Sequence, residues 1–291
     1  MRGFKIQSFL GAVIASVLVG GTAYAGEVSI SNYPLALLSQ AVTAGKGDAH
    51  VLLSAGDVGH HGSLSPAALK QVHDSQFVVW FGESLEQNLT GALKDAPNAI
   101  SLFEFDAFRR LPVRDVDGHA MADSFDVHIW LDPENAKAIV AALTVIHSHA
   151  KPEFRADYEA NAKVFYEKMD ALVAAQSQKP SRPYWAYHDA YQYLELPLNL
   201  SFKGALTPDH HLSPKASRFR TLTENRPKEV MCLASQMAVS AGVRDRLAPL
   251  NVLVRQEDMS DDDDFLSAWQ STAEAFEACT QDALQDTLTA Q

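Results

Sequence analysis

Apolar residues along this chain fall into short consecutive runs, separated by longer stretches where they recur every three or four positions. The runs at residues 27–31, 49–54, 76–82 (QFVVWFG) and 99–105 read as strands, and the consecutive kind suits a sheet buried on both faces. Between them, a helix is expected from Pro34 to Ala44, ended by Gly45 and Gly47. Ser65-Pro66 supplies a cap and a first-turn proline for a second helix, and residues 83–93 suggest a third. Asp132-Pro133 repeats the cap-and-proline signal ahead of a helix reaching about His149.

Residues 152–177 differ from what precedes them. After Pro152 they contain neither Gly nor Pro, and Phe154, Tyr158, Ala162, Phe165, Met169, Leu172 and Val173 recur at helical spacing. At ~1.5 Å per residue such a helix extends about 39 Å, enough to bridge two lobes. Alternation then restarts. Strands are expected at 184–187, 198–202, 229–234 and 251–257. Helices are expected at 189–196, after Ser213-Pro214, and from about Asp264 to beyond Cys279. The pattern is α/β: one lobe at residues 26–150, a linking helix at 151–179 and a second lobe at 180–291, each with a mostly parallel sheet. No sequence repeat relates the lobes.

The first 25 residues stand outside this pattern. Arg2 and Lys5 precede an uncharged, mostly apolar stretch at residues 6–21, and Ala23-Tyr24-Ala25 provides small residues at the positions a signal peptidase reads. About 16 apolar residues are too few for a spanning helix, which needs roughly 20. An export signal cleaved after Ala25 is expected, placing the mature chain outside the cytoplasm.

Composition narrows the function. The chain has 291 residues, 47% of them hydrophobic and 21% charged, which supports a sizeable core and excludes wholesale disorder. Its 36 acidic residues outnumber 24 Lys and Arg for a net charge of −12, and no basic block appears. Nucleic acid and anionic membrane surfaces are therefore poor partners. Two cysteines, Cys232 and Cys279, are too few for a thiolate zinc cluster or an iron–sulfur centre, but they can form one disulfide.

Three of the 11 histidines stand where ligands gather in open α/β sheets, beside the carboxyl ends of strands. His60 lies in the loop AGDVGHHGS after the second strand, His128 precedes Ile129-Trp130-Leu131, and His188 directly follows PYWAY. Zinc accepts three imidazoles and a fourth ligand in tetrahedral geometry. Calcium and magnesium prefer oxygen ligands, and no calcium-loop spacing is present. The acidic run 261–264 reads as a solvated helix start, favoured by the helix dipole. His147 and His149 face different ways on a helix, and His50 and His73 have no partner pattern. His210 and His211 sit in a polar loop, and His119 reads as an ordinary exposed histidine. His61, next to His60, is expected to diverge from it.

The chain resembles the periplasmic zinc-binding solute-binding proteins of the zinc/manganese ABC transporter family (cluster A-I, zinc-uptake type). The resemblance rests on GHHGSLSPAALKQVHDSQFVVWFGESLE, DVHIWLDPENAKAI and YWAYHDAYQYLELPLNLS, and on the placement of the two cysteines. It covers nearly the whole mature chain. It implies metal ligands at His60, His128 and His188, and a Cys232–Cys279 disulfide of the kind an exported chain can keep oxidised. It also implies two Rossmann-like lobes joined by one long rigid helix, with metal in the cleft between them and release relying on local loop movement. The implied role is non-enzymatic: a monomer that captures Zn²⁺ in the periplasm and hands it to an inner-membrane ABC permease.

The chain departs from the family pattern in three places. The His-rich loop common before the second ligand is reduced, in residues 108–125, to His119. A late strand that usually ends in Asp-Pro here reads VLVRQEDMS, leaving Glu257, Asp258, His61 or water as fourth ligand. Ser235 stands where Glu is common. Two other readings compete: a manganese-binding member of the family, which would show two His and two carboxylates, and a three-His zinc hydrolase. The hydrolase lacks both the His-Glu-x-x-His and the Gly-x-Ser-x-Gly signatures.

Overall fold

A computed structural model describes residues 27–55, 62–208 and 212–282. The export signal and its cleavage site, His60 and His61, and His210 and His211 lie outside the described residues. The chain divides into two units: Met1–Ala107 with Lys137–Phe165, and Phe108–Ala136 with Tyr166–Gln291. His128, assigned by the strand–helix pattern to a lobe spanning 26–150, therefore belongs to the same unit as His188.

The first unit is built on four parallel strands, β1 (Val28–Ile30), β2 (His50–Val51), β3 (Phe77–Trp80) and β4 (Ala99–Ser101), in the order β2-β1-β3-β4. β1 and β3 are buried along their whole length, which explains their unbroken apolar runs. Helix α1 (Tyr33–Thr43) starts on an Asn32 cap, with Pro34 in its first turn, and ends at Ala44 in the left-handed region. Helix α2 (Pro66–Asp74) starts on the Ser65 hydroxyl, as its sequence suggests. Leu52, Leu53, Val72, Val78, Trp80 and Leu93 form the core on one side of this sheet.

The helix expected at 83–93 is instead a turn, a 3-10 segment (Gln87–Leu89) and the single-turn α3 (Thr90–Leu93). Gly82, at φ +130°, bends the chain after β3, where an added Cβ would meet the Ser101 hydroxyl at 2.6 Å. The fully buried Glu86 carboxylate then accepts hydrogen bonds from Phe81 N (2.7 Å), Gly82 N (3.3 Å) and Asn32 Nδ2 (2.7 Å). Burial outweighs these donors and pushes the Glu86 carboxyl up to about 7. The Glu86 carboxylate thus closes the turn that stands in place of a helix starting at residue 83.

Helix α4 (Pro133–Ala150) begins where Asp132 Oδ1 accepts from Glu134 N and Asn135 N. Helix α5 (Arg155–Ser177) follows a short 3-10 turn and buries Tyr158, Ala162, Phe165 and Met169 on one stripe. Its residues up to Phe165 belong with the first unit and those from Tyr166 with the second. Among the described residues, no helix is long and apolar enough to cross a membrane.

The second unit repeats the same winding. Its strands β5 (Arg182–Ala186), β6 (Leu200–Ala205), β7 (Met231–Ser235) and β8 (Leu250–Val254) are all parallel, in the order β6-β5-β7-β8. The helix expected at 189–196 is replaced by a 3-10 turn (Gln192–Leu194) and the short α6 (Glu195–Leu198). Helix α7 (Ala216–Glu224) starts beyond the expected Ser213-Pro214 cap and has no side-chain cap of its own. Helices α8 (Ala241–Leu247) and α9 (Phe265–Cys279) complete the unit, and Asp264 caps α9 as expected. Trp185, Leu206, Leu222, Met231, Leu233 and Leu247 form its core. The Cys232–Cys279 disulfide is present, with Cα atoms 5.2 Å apart, and ties the end of α9 to β7.

Candidate metal centre

Three neighbouring strands of the second unit end at one place. β5 ends at Ala186 and leads to His188; β7 ends at Ser235 and leads to Gln236; β8 ends at Val254 and leads to Glu257. The strand order reverses between β5 and β7, the kind of position where an open α/β sheet forms a crevice for ligands. His128 reaches the same point from the segment ahead of the 3-10 turn Ile129–Leu131.

His128, His188 and Glu257 are all buried, and one candidate ligand atom from each lies within 4.8 Å of the others. His128 Nε2 is 3.5 Å from Glu257 Oε1, and His188 Nε2 is 3.6 Å from Glu257 Oε2. Tetrahedral donors held ~2.0–2.1 Å from a zinc ion stand roughly 3.3–3.5 Å from each other, so these spacings suit a small divalent cation.

Each imidazole has an acceptor behind it. His128 Nδ1 lies 2.6 Å from Asp126 Oδ1, and His188 Nδ1 lies 2.9 Å from Gln236 Oε1. An acceptor at Nδ1 puts the proton there and makes Nε2 the nitrogen whose lone pair serves a metal. The two backings differ in charge. Burial pulls the His128 pKa down, but the carboxylates of Asp126 and Glu257 together overcome it and hold His128 well above the usual imidazole range. His188 is lowered, chiefly by burial, with Glu257 opposing and His128 adding to the fall.

The segment that brings His128 is fastened within its own unit. Arg114 donates to both Asp189 oxygens at 2.8 Å and to Glu195, and its guanidinium lies 4.3 Å from the centre of the Phe202 ring. Further along, Arg218 donates to Val116 O at 2.7 Å.

Of the residues singled out by sequence, His128 and His188 come together. His60 is outside the described residues, so its position is not part of this geometry. Glu257 is the carboxylate that meets the two imidazoles. Asp258 turns back into its own loop, accepting from Ser260 N and Oγ. His119 is exposed and pairs with Asp115 at 3.1 Å. His147 is buried elsewhere, 2.8 Å from the Ser39 hydroxyl. Asp126 and Gln236 went unnoticed in the sequence. Asp126 could have been found from its spacing two residues before His128, whereas an isolated Gln carries no such signal.

The family model described as zinc-uptake complex component A, periplasmic, matches residues 28–279. The chain belongs to this family. A zinc-uptake relative, the high-affinity zinc uptake system protein ZnuA of Brucella abortus, is 27% identical over 248 residues, covering 69% of this chain and 74% of the relative. Among solved structures, a crystal structure of ZnuA superposes with a TM-score of 0.69 at 19% identity, covering 88% of this chain and 99% of that one. The Zn(II)-bound AdcA of Streptococcus pneumoniae superposes with a TM-score of 0.65 at 22% identity over 90% of this chain, which spans 61% of AdcA. The two parallel-sheet α/β units expected from the sequence are thus the fold of the zinc-uptake component A proteins.

Proposed function

We propose that this protein captures Zn²⁺ outside the cytoplasmic membrane and delivers it to the permease of an ABC transporter. His128 Nε2, His188 Nε2 and the Glu257 carboxylate hold the ion, and His60 adds a third imidazole from the loop after β2. The observation that carries this reading is the convergence of two buried imidazoles and one buried carboxylate within 4.8 Å, at the carboxyl ends of the strands. Zinc is the cargo. Imidazole nitrogen with a single carboxylate is a donor set that suits zinc. The protein acts in the periplasm after its export signal is removed, as a monomer and without binding nucleic acid.

The site binds rather than turns over. A zinc hydrolase needs an open coordination position and a separate general base. Here the nearby carboxylate, Glu257, is directed at the same point as both imidazoles and serves as a ligand. Manganese is the second reading, because Glu257 supplies an oxygen donor that a purely imidazole site lacks.

Elemental analysis of protein purified from its export compartment, followed by zinc–manganese competition, tests the assignment. Zinc bound one to one and retained against excess manganese is the expected result. Manganese displacing zinc would favour the second reading, and protein that retains neither metal would overturn both.

A further inference from the structure

The three segments that carry His128, His188 and Glu257 are joined pairwise, each time by an aromatic side chain that donates to a backbone carbonyl. Trp130, two residues after His128, donates its indole N–H to Glu257 O at 2.9 Å. Tyr191, three residues after His188, donates its hydroxyl to Arg255 O at 2.9 Å, two residues before Glu257. Tyr193 donates to Asp126 O at 2.9 Å, so the same turn also reaches the segment of His128. Leu111 N in turn donates to the Tyr193 hydroxyl at 3.0 Å. All three aromatics are buried, and all these residues lie in the second unit.

These bonds form a closed triangle with one bond on each side. The backbone of Glu257 is registered against both histidine segments, and the histidine segments are registered against each other. This accounts for residues 189–194 not forming the helix their sequence suggests: the Tyr191 and Tyr193 hydroxyls are committed to carbonyls on two different segments. Core packing alone would call for Phe at these positions, because a buried hydroxyl or indole N–H needs a partner.

We propose that Trp130, Tyr191 and Tyr193 are positioning residues that hold the three donors at metal-binding spacing. The inference rests on the ligand set given above. Trp130 and Tyr191 act through Glu257; Tyr193 acts through His128. Partners behind metal ligands are typically worth about 10–100-fold in affinity, and a similar loss is expected from cutting one side of the triangle.

The test uses the full exported chain with Tyr191→Phe, Tyr193→Phe and Trp130→Phe, which remove the donor and keep an aromatic ring. Zinc affinity is measured against a chromophoric chelator, and the visible d–d spectrum is recorded at saturating Co²⁺. Tyr191→Phe and Trp130→Phe are expected to weaken zinc by about tenfold or more and to alter the cobalt spectrum, which general destabilisation would leave unchanged in the saturated protein. In a Glu257→Ala background these two changes should cost little more, whereas Tyr193→Phe should keep its effect.

Wild-type affinity and spectra in both Tyr variants would overturn the proposal, as would losses from Tyr191→Phe that persist in full without Glu257. If Trp130→Phe does not fold, the Tyr191→Phe cycle decides the matter alone. A wild-type chain that binds neither zinc nor cobalt would instead overturn the underlying ligand assignment.

Discussion

Asp126 and His128 are two residues apart, and the carboxylate of the first grips the second twice: at Nδ1 (2.6 Å) and at the backbone N–H (3.0 Å). The ring is thereby fixed in position and in tautomer. Asp126→Ala should weaken zinc binding by about 10–100-fold while leaving the fold intact, because the Tyr193 bond goes to the backbone carbonyl of Asp126 and survives. Calorimetric titration, with circular dichroism as the control for folding, checks this. An unchanged affinity would remove Asp126 from the site.

Removal of the proposed ligands themselves should cost more. His128→Ala and His188→Ala each take away a direct donor, so each loss should exceed the roughly 10–100-fold expected for a supporting residue. His60→Ala should weaken binding but leave a measurable affinity, since the second unit retains two imidazoles and the carboxylate. Competition titrations of the three variants give the order, and wild-type affinity in all three would defeat the assignment.

Two buried groups of the first unit should make stability depend on pH with opposite signs. Burial lowers His147 to about 4 from 6.5, with Lys151 adding to the fall. Between those values the unfolded chain takes up a proton that the folded chain refuses, so stability drops as pH falls from about 6.5 toward 4. Glu86, raised to about 7 from 4.5, does the reverse: the folded chain keeps a proton the unfolded chain has lost, and stability drops as pH rises from about 4.5 to 7. Each effect is on the order of 3 kcal/mol at most. Between about pH 4.5 and 6.5 these two contributions to the melting temperature of metal-free protein therefore oppose each other. His147→Gln should leave the Glu86 slope, with stability falling as pH rises, and Glu86→Gln should leave the opposite slope. Parallel profiles for both variants would contradict the assignment.

Reduction of Cys232–Cys279, which closes a loop with a sequence separation of 47, should lower stability by about 2–4 kcal/mol. Melting with and without reductant reads this directly. Two titratable thiols in native protein recovered from the export compartment would show that the bridge does not form there.

The sheets were the most legible part of the chain, because strands buried on both faces write themselves as unbroken apolar runs, as in Phe77–Trp80 and Met231–Ser235. Helix starts were legible where a capping side chain meets a first-turn proline, at Ser65-Pro66 and Asp132-Pro133. Two expected helices failed for one physical reason. Glu86 in the first accepts from Asn32 as well as from the local Phe81 and Gly82 N–H groups, and Tyr191 and Tyr193 in the second donate to carbonyls far along the chain; local spacing records none of the long-range bonds. Within the site, His128 and His188 could be read from their motifs. Glu257 was one of four candidates for the fourth ligand, with Asp258, His61 and water, because the choice between Glu257 and Asp258 depends on how the loop after β8 turns. Gln236 was invisible, since its contribution lies entirely in where β7 ends.

The bracing of the donor segments by Trp130, Tyr191 and Tyr193 bears on how the cargo leaves. Three struts tied corner to corner do not let one corner withdraw by itself. Under the proposed function, release of zinc from this unit is then an all-or-none event, in which the acceptor must outcompete the whole cradle rather than peel away one donor at a time.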